Sequence, residues 1–345
     1  MSEIVRVLVV DDSAYVRKVV TQMLGRSPFI EVVGTARDGR EALEMTAELN
    51  PDVVTCDLNM PEMDGVTFVR EQMTRRPVSI VIISIAAGAG EQVLAALDAG
   101  AVDFVQKPTA LATERLMDMA EELVDKVKAA ATAPRRAVKR PIVEPAAMAV
   151  PRSPGRRTYD IVVIGISTGG PQALKVIIPR LPAGFPVPVA MVLHMPVGYT
   201  EMYAQKLNAM SALHVVEAAE GLAVVPGTVF LAPAGRHLSV RRDGSTVRTH
   251  LDVRPLDTPH RPSVDALFQS AAEVYGDRVL GVVMTGMGSD GRDGAAWIKA
   301  RGGGILTEAE ESCIVYGMPR AVVEAGLSDA AVPLEQIAQA IMERV

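Results

Sequence analysis

Val5-Arg6-Val7-Leu8-Val9-Val10-Asp11-Asp12-Ser13 decides how the first third of the chain is read. A short aliphatic run stops abruptly at two acids, and an amphipathic pattern follows over Ala14–Leu24. That is the profile of a buried strand feeding a helix. The unit then recurs. Strand-like runs at Ile30–Val33, Val53–Thr55, Ile80–Ile83 and Phe104–Val105 alternate with helical patterns at Gly39–Leu49, Gly65–Met73, Glu91–Leu97 and Leu111–Lys128. Five β–α units in so short a span predict a doubly wound α/β domain, a parallel sheet with helices on both faces.

In such sheets ligands bind beyond the carboxyl ends of the strands. Asp11 and Asp12 close the first strand, Asp57 the third and Ser84 the fourth, and Lys107 follows the fifth just before Pro108. Three carboxylates converging on one edge raise one another's pKa unless a cation is present. Few hard oxygen ligands, with water completing the shell, suit Mg²⁺. Lys107 adds a point charge for a phosphoryl oxygen. A carboxylate beside such a cation and an ammonium can accept a phosphoryl group. A single aspartate here could simply cap the next helix. Two adjacent aspartates together with Asp57, Ser84 and Lys107, each of these three ending a different strand, are not explained that way.

These residues resemble a two-component receiver domain over nearly all of residues 1–128. The motifs are Asp11-Asp12-Ser13, Asp57 followed by Met60-Pro61-Glu62-Met63-Asp64-Gly65, Ser84, and Lys107-Pro108. The resemblance implies a flavodoxin-like fold and phosphorylation of Asp57 by a histidine kinase. It implies Mg²⁺ ligation by Asp12, Asp57 and the Asn59 carbonyl, with Asp11 acting through water. Ser84 and Phe104 match the switch hydroxyl and switch aromatic. Ile85-Ala86-Ala87-Gly88-Ala89-Gly90 departs from the family in being blander than most loops after the switch residue.

Further along, the apolar run Ile161–Ile164 enters Gly165-Ile166-Ser167-Thr168-Gly169-Gly170-Pro171. Gly165 to Gly169 fits G-x-S-x-G, a turn that leaves a serine hydroxyl exposed between strand and helix. Pro171 suits the helix's first turn, and free amides there can stabilise an oxyanion. A glycine-rich phosphate cradle is the competing reading, but the spacing fits neither G-x-G-x-x-G nor a P-loop. All five histidines, His194, His214, His237, His250 and His260, lie in this half. His194 ends the strand-like run Val189–Leu193, and Asp290 stands in a glycine-rich turn after Val279–Met284. Ser167, His194 and Asp290 would therefore emerge on one sheet edge. In a triad the acid holds the imidazole tautomer and stabilises the imidazolium. Asp290 could instead cap the helix that follows it. His214 and His250 sit in strand-like, structural contexts. His260 precedes a helix start with Ser263 as the cap, where it can line the site. A rival set, Ser167, Asp257 and His260, restores the Ser–acid–His order of α/β-hydrolases, but Asp257 and His260 stand at no visible strand end.

This half resembles the catalytic domain of the chemotaxis protein-glutamate methylesterases, the CheB family. Ser167-Thr168-Gly169-Gly170-Pro171, His194-Met195-Pro196, His260-Arg261-Pro262-Ser263-Val264-Asp265 and Thr285-Gly286-Met287-Gly288-Ser289-Asp290-Gly291 carry the likeness. It implies a second doubly wound α/β domain with a mainly parallel sheet and a triad of Ser167, His194 and Asp290. Thr168 and Met287 match positions lining the site and its oxyanion region. Leu193 departs from a family that often has glutamine before the histidine. The implied reaction is hydrolysis of glutamyl methyl esters on membrane chemoreceptors, extending to glutamine deamidation, with no cofactor for the esterase step. In the family the unphosphorylated receiver covers the esterase cleft. The alternative is a receiver-controlled interaction module with a silent esterase domain.

The remaining composition fits that division. The 345 residues divide into a receiver at 1–128, a linker at 129–158 and an esterase at 159–345. The middle stretch holds Pro134, Pro141, Pro145, Pro151 and Pro154, and seven basic residues against Glu144 alone. Proline at that density favours extended chain. The receiver holds 13 basic and 21 acidic side chains, and the esterase 15 and 19. A net charge of −6 disfavours nucleic-acid binding. Two distant cysteines, Cys56 and Cys313, build no disulfide framework, as expected of a cytoplasmic protein. No run is long enough to span a membrane, and no internal repeat crosses the linker.

Overall fold

The computed structural model describes residues 4–85, 90–107, 113–132, 159–255 and 257–345. Linker positions 133–158, loop residues 86–89, Pro108 and the expected helix start at 111–112 lie outside them. The chain divides into two compact units, Met1–Pro141 and Ile142–Val345.

The first unit runs β1 (Val5–Val10), α1 (Ala14–Leu24), β2 (Ile30–Ala36), α2 (Gly39–Leu49), β3 (Val53–Cys56), α3 (Gly65–Arg75), β4 (Ser79–Ile85), α4 (Gly90–Ala99), β5 (Asp103–Lys107) and α5 (Thr113–Thr132). Side-chain caps set several helix starts. Ser13, Asp38 and Asp64 each accept amides of the first turn of α1, α2 and α3, removing donors that would otherwise go unpaired. The strands form one sheet in the order β2-β1-β3-β4-β5, and every pairing is parallel. Strand order reverses between β1 and β3, which makes the crevice at their carboxyl ends the binding position. α5 continues through Thr132, with Ala129 and Ala130 buried, so the first residues of the expected linker are helical.

One glycine in this unit is required by close packing. A Cβ on Gly65 would collide with the Asp57 carbonyl oxygen and lie 2.8 Å from Leu58 Cα. Both obstacles are backbone, so the strain cannot be relieved by a side-chain rotation. Gly65→Ala is expected to destabilise the first unit by about 2–3 kcal/mol. Urea unfolding followed by far-ultraviolet circular dichroism would measure it.

The second unit runs β6 (Ile161–Ile166), α6 (Gly170–Ile177), β7 (Val189–Leu193), α7 (Thr200–Ala209), β8 (His214–Glu217), β9 (Thr228–Leu231), β10 (His237–Asp243), β11 (Thr246–Asp252), α8 (Val264–Tyr275), β12 (Val279–Val283), α9 (Arg292–Ala300), β13 (Gly304–Glu308), α10 (Met318–Glu324), β14 (Ala330–Val332) and α11 (Leu334–Met342). Seven strands form a sheet in the order β14-β13-β12-β6-β7-β9-β8, and β10 and β11 make a separate hairpin. Every pairing in the larger sheet is parallel. All residues of β6, β7, β12 and β13 are buried. Burial on both faces explains why these strands read as continuous aliphatic runs rather than alternating ones. From β6 the chain winds outward through β7 in one direction, and later through β12 and β13 in the other. The carboxyl ends of β12, β6 and β7 thus lie side by side at the topological switch.

Among the described residues, no helix is long and apolar enough to cross a membrane.

Candidate functional site

Sheet register brings the acidic residues of the first unit together. Val10 pairs with Cys56 across β1 and β3, and the Asp57 amide donates to the Val10 carbonyl at 2.9 Å. The next residues, Asp11 and Asp57, must therefore be neighbours. Ligand atoms of Asp11, Asp12 and Asp57 lie within 4.8 Å of one another, with Asp12 exposed and the other two buried. Lys107 Nζ, from the end of β5, reaches Asp11 Oδ2 at 2.7 Å and Asp57 Oδ2 at 3.0 Å. Burial raises the Asp57 pKa, the Lys107 ammonium opposes this, and the Asp11 charge raises it further. A divalent cation with oxygen preference fits this set, because it would offset the repulsion that Lys107 now helps to balance. Arg17 Nη1 donates to the Asp11 and Asp12 carbonyls at 2.7 and 3.1 Å, which fixes the loop that carries them. Ser84 is fully buried on β4, and its Oγ has no hydrogen-bond partner. Phe104 is buried on β5 under Lys126, whose Nζ lies 5.5 Å from the ring centroid. Asn59 is exposed in the loop after β3.

The second unit gathers its candidates from three adjacent strands. Ser167 follows β6, His194 follows β7 and Asp290 lies in the turn after β12. His194 Nε2 is 2.9 Å from Asp290 Oδ2. His194 Nδ1 is buried without a hydrogen-bond partner, so it is the nitrogen left to serve as a base. No hydrogen bond joins it to Ser167 in this structure; catalytic contacts of ligand-free sites commonly tighten only on binding. The serine turn and the turn after β12 are stitched together. Ser167 N donates to Thr285 O at 3.0 Å, and Thr285 Oγ1 donates to Thr168 O at 2.9 Å. A Cβ on Gly286 would lie 2.8 Å from Ser167 Cβ, so only glycine allows this approach. Thr168 is buried and Met287, the residue after Gly286, is partly exposed. The Thr285 amide is in turn held at 2.9 Å by Glu308, a fully buried carboxylate at the end of β13.

Asp290 is the electrostatic centre of the site. Besides His194, it accepts from Ser263 Oγ at 3.0 Å, Val264 N at 2.8 Å and Asp265 N at 3.0 Å. It thus sits on the N-terminus of α8, where the helix dipole favours a negative charge. Burial opposes its ionisation, but the His194 ring and the α8 amides outweigh burial and hold its carboxyl far below the usual carboxylate range. Asp265 does the converse, accepting from Gly291 N at 2.9 Å and Gly294 N at 2.6 Å at the start of α9. Burial, and after it the Asp290 charge, push Asp265 up to about 6, against the Gly294 hydrogen bond.

The expected Ser167, His194 and Asp290 are thus brought to one sheet edge. Asp290 differs from a cap of its own following helix: α9 is preceded by Gly291 at φ 98° with no side-chain cap, and Asp290 serves α8 instead. Ser263 does cap α8, through Ala266 N. His260 stacks on the His194 ring, centroids 4.2 Å apart, so it lines the site, while Asp257 is exposed. His214 and His250 lie in β8 and β11. Asp265, Thr285 and Glu308 emerge only from the structure. Asp265 and Thr285 were visible as parts of motifs, but no local spacing ties Asp265 to α9 or Thr285 to the serine turn.

Comparison with known proteins covers both units. The family model described as CheB methylesterase matches residues 162–341, and that of the response regulator receiver domain matches residues 7–121. A protein-glutamate methylesterase/protein-glutamine glutaminase of Myxococcus xanthus is 52% identical, covering 96% of this chain and 95% of its own length. One from Geobacillus kaustophilus is 43% identical, covering 99% of each. The crystal structure of the Thermotoga maritima CheB methylesterase catalytic domain is 42% identical. It covers 54% of this chain and 99% of its own, with a TM-score of 0.53.

Proposed function

The chain belongs to the CheB methylesterase family and carries that family's domain behind a response regulator receiver, and from this premise we propose that Ser167, His194 and Asp290 hydrolyse glutamyl methyl esters on chemoreceptors under control of Asp57. The observation that carries the reading is the 2.9 Å His194–Asp290 hydrogen bond beside the strand-end serine. Ser167 Oγ attacks the side-chain carbonyl carbon of the substrate glutamyl ester. His194 Nδ1 takes the serine proton while its Nε2–H remains on Asp290, whose charge stabilises the imidazolium. Amides of Thr168 and Met287 receive the oxyanion. Collapse of the tetrahedral intermediate releases methanol, which takes the proton from His194. Water, activated by the same nitrogen, then frees the glutamate side chain. With a glutamine substrate the leaving group is ammonia.

In the receiver, Asp57 is the phosphoryl acceptor, and a histidine kinase is the donor. Asp11, Asp12, Asp57 and the Asn59 carbonyl would hold Mg²⁺, which supplies charge neutralisation at the transferring phosphoryl group. Lys107 holds a phosphoryl oxygen from the other side. The unpartnered, buried Ser84 hydroxyl is suited to a second one. Phosphorylation adds charge where Lys107 now bridges Asp11 and Asp57, and this shift biases a two-state element that restrains the esterase. The domains are assigned as 1–128, 129–158 and 159–345, with the last helix of the first unit running on through Thr132 into the assigned linker. The enzyme works in the cytoplasm on the cytoplasmic part of its receptors.

The test uses the full chain and a methyl-esterified receptor fragment. Beryllofluoride with Mg²⁺, a phosphoryl mimic, is expected to raise the rate of methanol release, and Asp57→Asn to abolish the increase without lowering the basal rate. An unchanged rate on saturation with the mimic would remove the regulatory assignment.

A further inference from the structure

His237 is the first residue of β10, 2% exposed, and the mechanism above makes no use of it. Its two nitrogens have different and well-defined partners. Nδ1 accepts from the Ser263 amide at 3.1 Å. Nε2 faces the Pro255 carbonyl at 3.1 Å, with Thr258 Oγ1 at 3.3 Å. An amide is only a donor and a carbonyl only an acceptor. The ring must therefore be neutral, with its proton on Nε2.

Ser263 connects this ring to the active site. Its hydroxyl donates to Asp290 Oδ1, and the next two amides, Val264 N and Asp265 N, donate to the same carboxylate. Asp290 Oδ2 holds His194. The peptide plane that starts this three-donor clamp is the one pinned by His237. We propose that His237 is a positioning residue for the hydrolytic reaction: as a neutral acceptor it fixes the Ser263 amide, and so the clamp that aims Asp290 at His194. The proposal rests on the triad reading given above.

The surroundings keep the ring in the required form. Burial lowers its pKa, the Pro255 hydrogen bond opposes this, the Arg261 charge lowers it, and Asp290 and Asp252 raise it. A protonated ring would point a second N–H at the Ser263 N–H, two donors face to face, and the clamp would lose its anchor.

Three substitutions separate positioning from simple core filling. In His237→Asn the amide oxygen takes the place of Nδ1 and accepts from Ser263. In His237→Gln the amide reaches the place of Nε2 and serves only Pro255. His237→Ala loses both. In full-length protein assayed by methanol release from a methyl-esterified receptor fragment, the Ala and Gln variants are expected to lose kcat by about tenfold or more, because small misplacements of a catalytic group are costly. KM should stay within about twofold of wild type, since the ring touches no substrate. The Asn variant should recover most of the lost kcat. Thermal midpoints are followed for all three, and if the Ala variant does not fold, the Asn–Gln pair decides. Equal kcat in the Asn and Gln variants, or a wild-type kcat in the Ala variant, overturns the proposal. Ser167→Ala is run beside them. Retained activity there would sink the triad reading itself, whereas an inactive Ser167→Ala with a wild-type His237→Ala would sink only the positioning role.

Discussion

Ser167→Ala is expected to lower kcat for methanol release by about 10⁴-fold or more, with the thermal midpoint almost unchanged. The chemical part follows from the nucleophile. Without Oγ no acyl-enzyme forms, and only direct attack by water, helped by the oxyanion amides and by binding, remains. The structural part follows from how the turn is held. Its fixed points are backbone contacts, Ser167 N to Thr285 O and Gly170 N to Ser167 O at 2.7 Å, and alanine keeps both. The serine Cβ already lies against Gly286, so removal of the hydroxyl opens little space. Methanol release and a thermal melt on the same preparation test both halves. A Ser167→Ala protein that released methanol at the wild-type rate would mean that another group is the nucleophile. One that lost activity only together with its thermal midpoint would mean that the turn depends on the hydroxyl.

The sequence made the strand ends legible because chemistry there interrupts an aliphatic run. Asp11, Asp57, Ser167 and His194 each follow the last apolar residues of a strand that is buried on both faces. A polar group at such a point needs a reason to be there. Helix limits were legible where a cap sets them. α1 begins after Ser13, and α2 lies between Asp38 and Asn50, the latter at φ 47°. Limits without such punctuation ran further than expected. β2 continues to Ala36 through Gly34 and Thr35, carried by pairing with β1 past a register shift at Val7/Leu8. That extension is a property of the partner strand and has no local signal. The same holds for the support of the site. Asp290 and Asp265 are 25 residues apart in sequence, yet each serves the helix that begins beside the other. Exchange of caps between two helices depends on their packing, and no sequence period encodes it. His237 was one of five histidines with nothing to single it out, since its role is set by Ser263 and Pro255 from a different segment.

Asp290→Asn is the second change with a large expected effect, a fall in kcat of about 10⁴-fold. Four donors point at this carboxylate: His194 Nε2, Ser263 Oγ, Val264 N and Asp265 N. An amide offers one oxygen to them, and its NH₂ must face at least one donor. If the oxygen takes the place of Oδ1, on Ser263 Oγ and Asp265 N, the NH₂ faces Val264 N and His194 and donates to Nε2. The imidazole proton then moves to Nδ1, the nitrogen that should receive the Ser167 proton, and the base is lost through its tautomer. If the oxygen takes the place of Oδ2 and the ring keeps its proton on Nε2, Val264 N stays paired and Asp265 N loses its acceptor, at a cost of about 1–3 kcal/mol. The pH dependence of stability separates the two carboxylates. Asp290 is held below its ordinary 3.8, so its contribution is fully present above that value and is lost as pH falls below it. The gap in thermal midpoint between wild type and Asp290→Asn should therefore narrow below about pH 4. Asp265, raised to about 6, has the opposite sign. Its contribution is present below 3.8 and is lost as pH rises through about 6. Asp290→Asn removes the neighbouring charge that helps to raise it, so the change in stability between pH 4 and 6 should flatten in the variant, within about one pH unit of those limits. A variant that kept wild-type kcat, or whose stability gap stayed constant down to pH 3, about a unit below the ordinary carboxylate value, would mean that the clamp at α8 neither orients His194 nor carries the charge assigned to it.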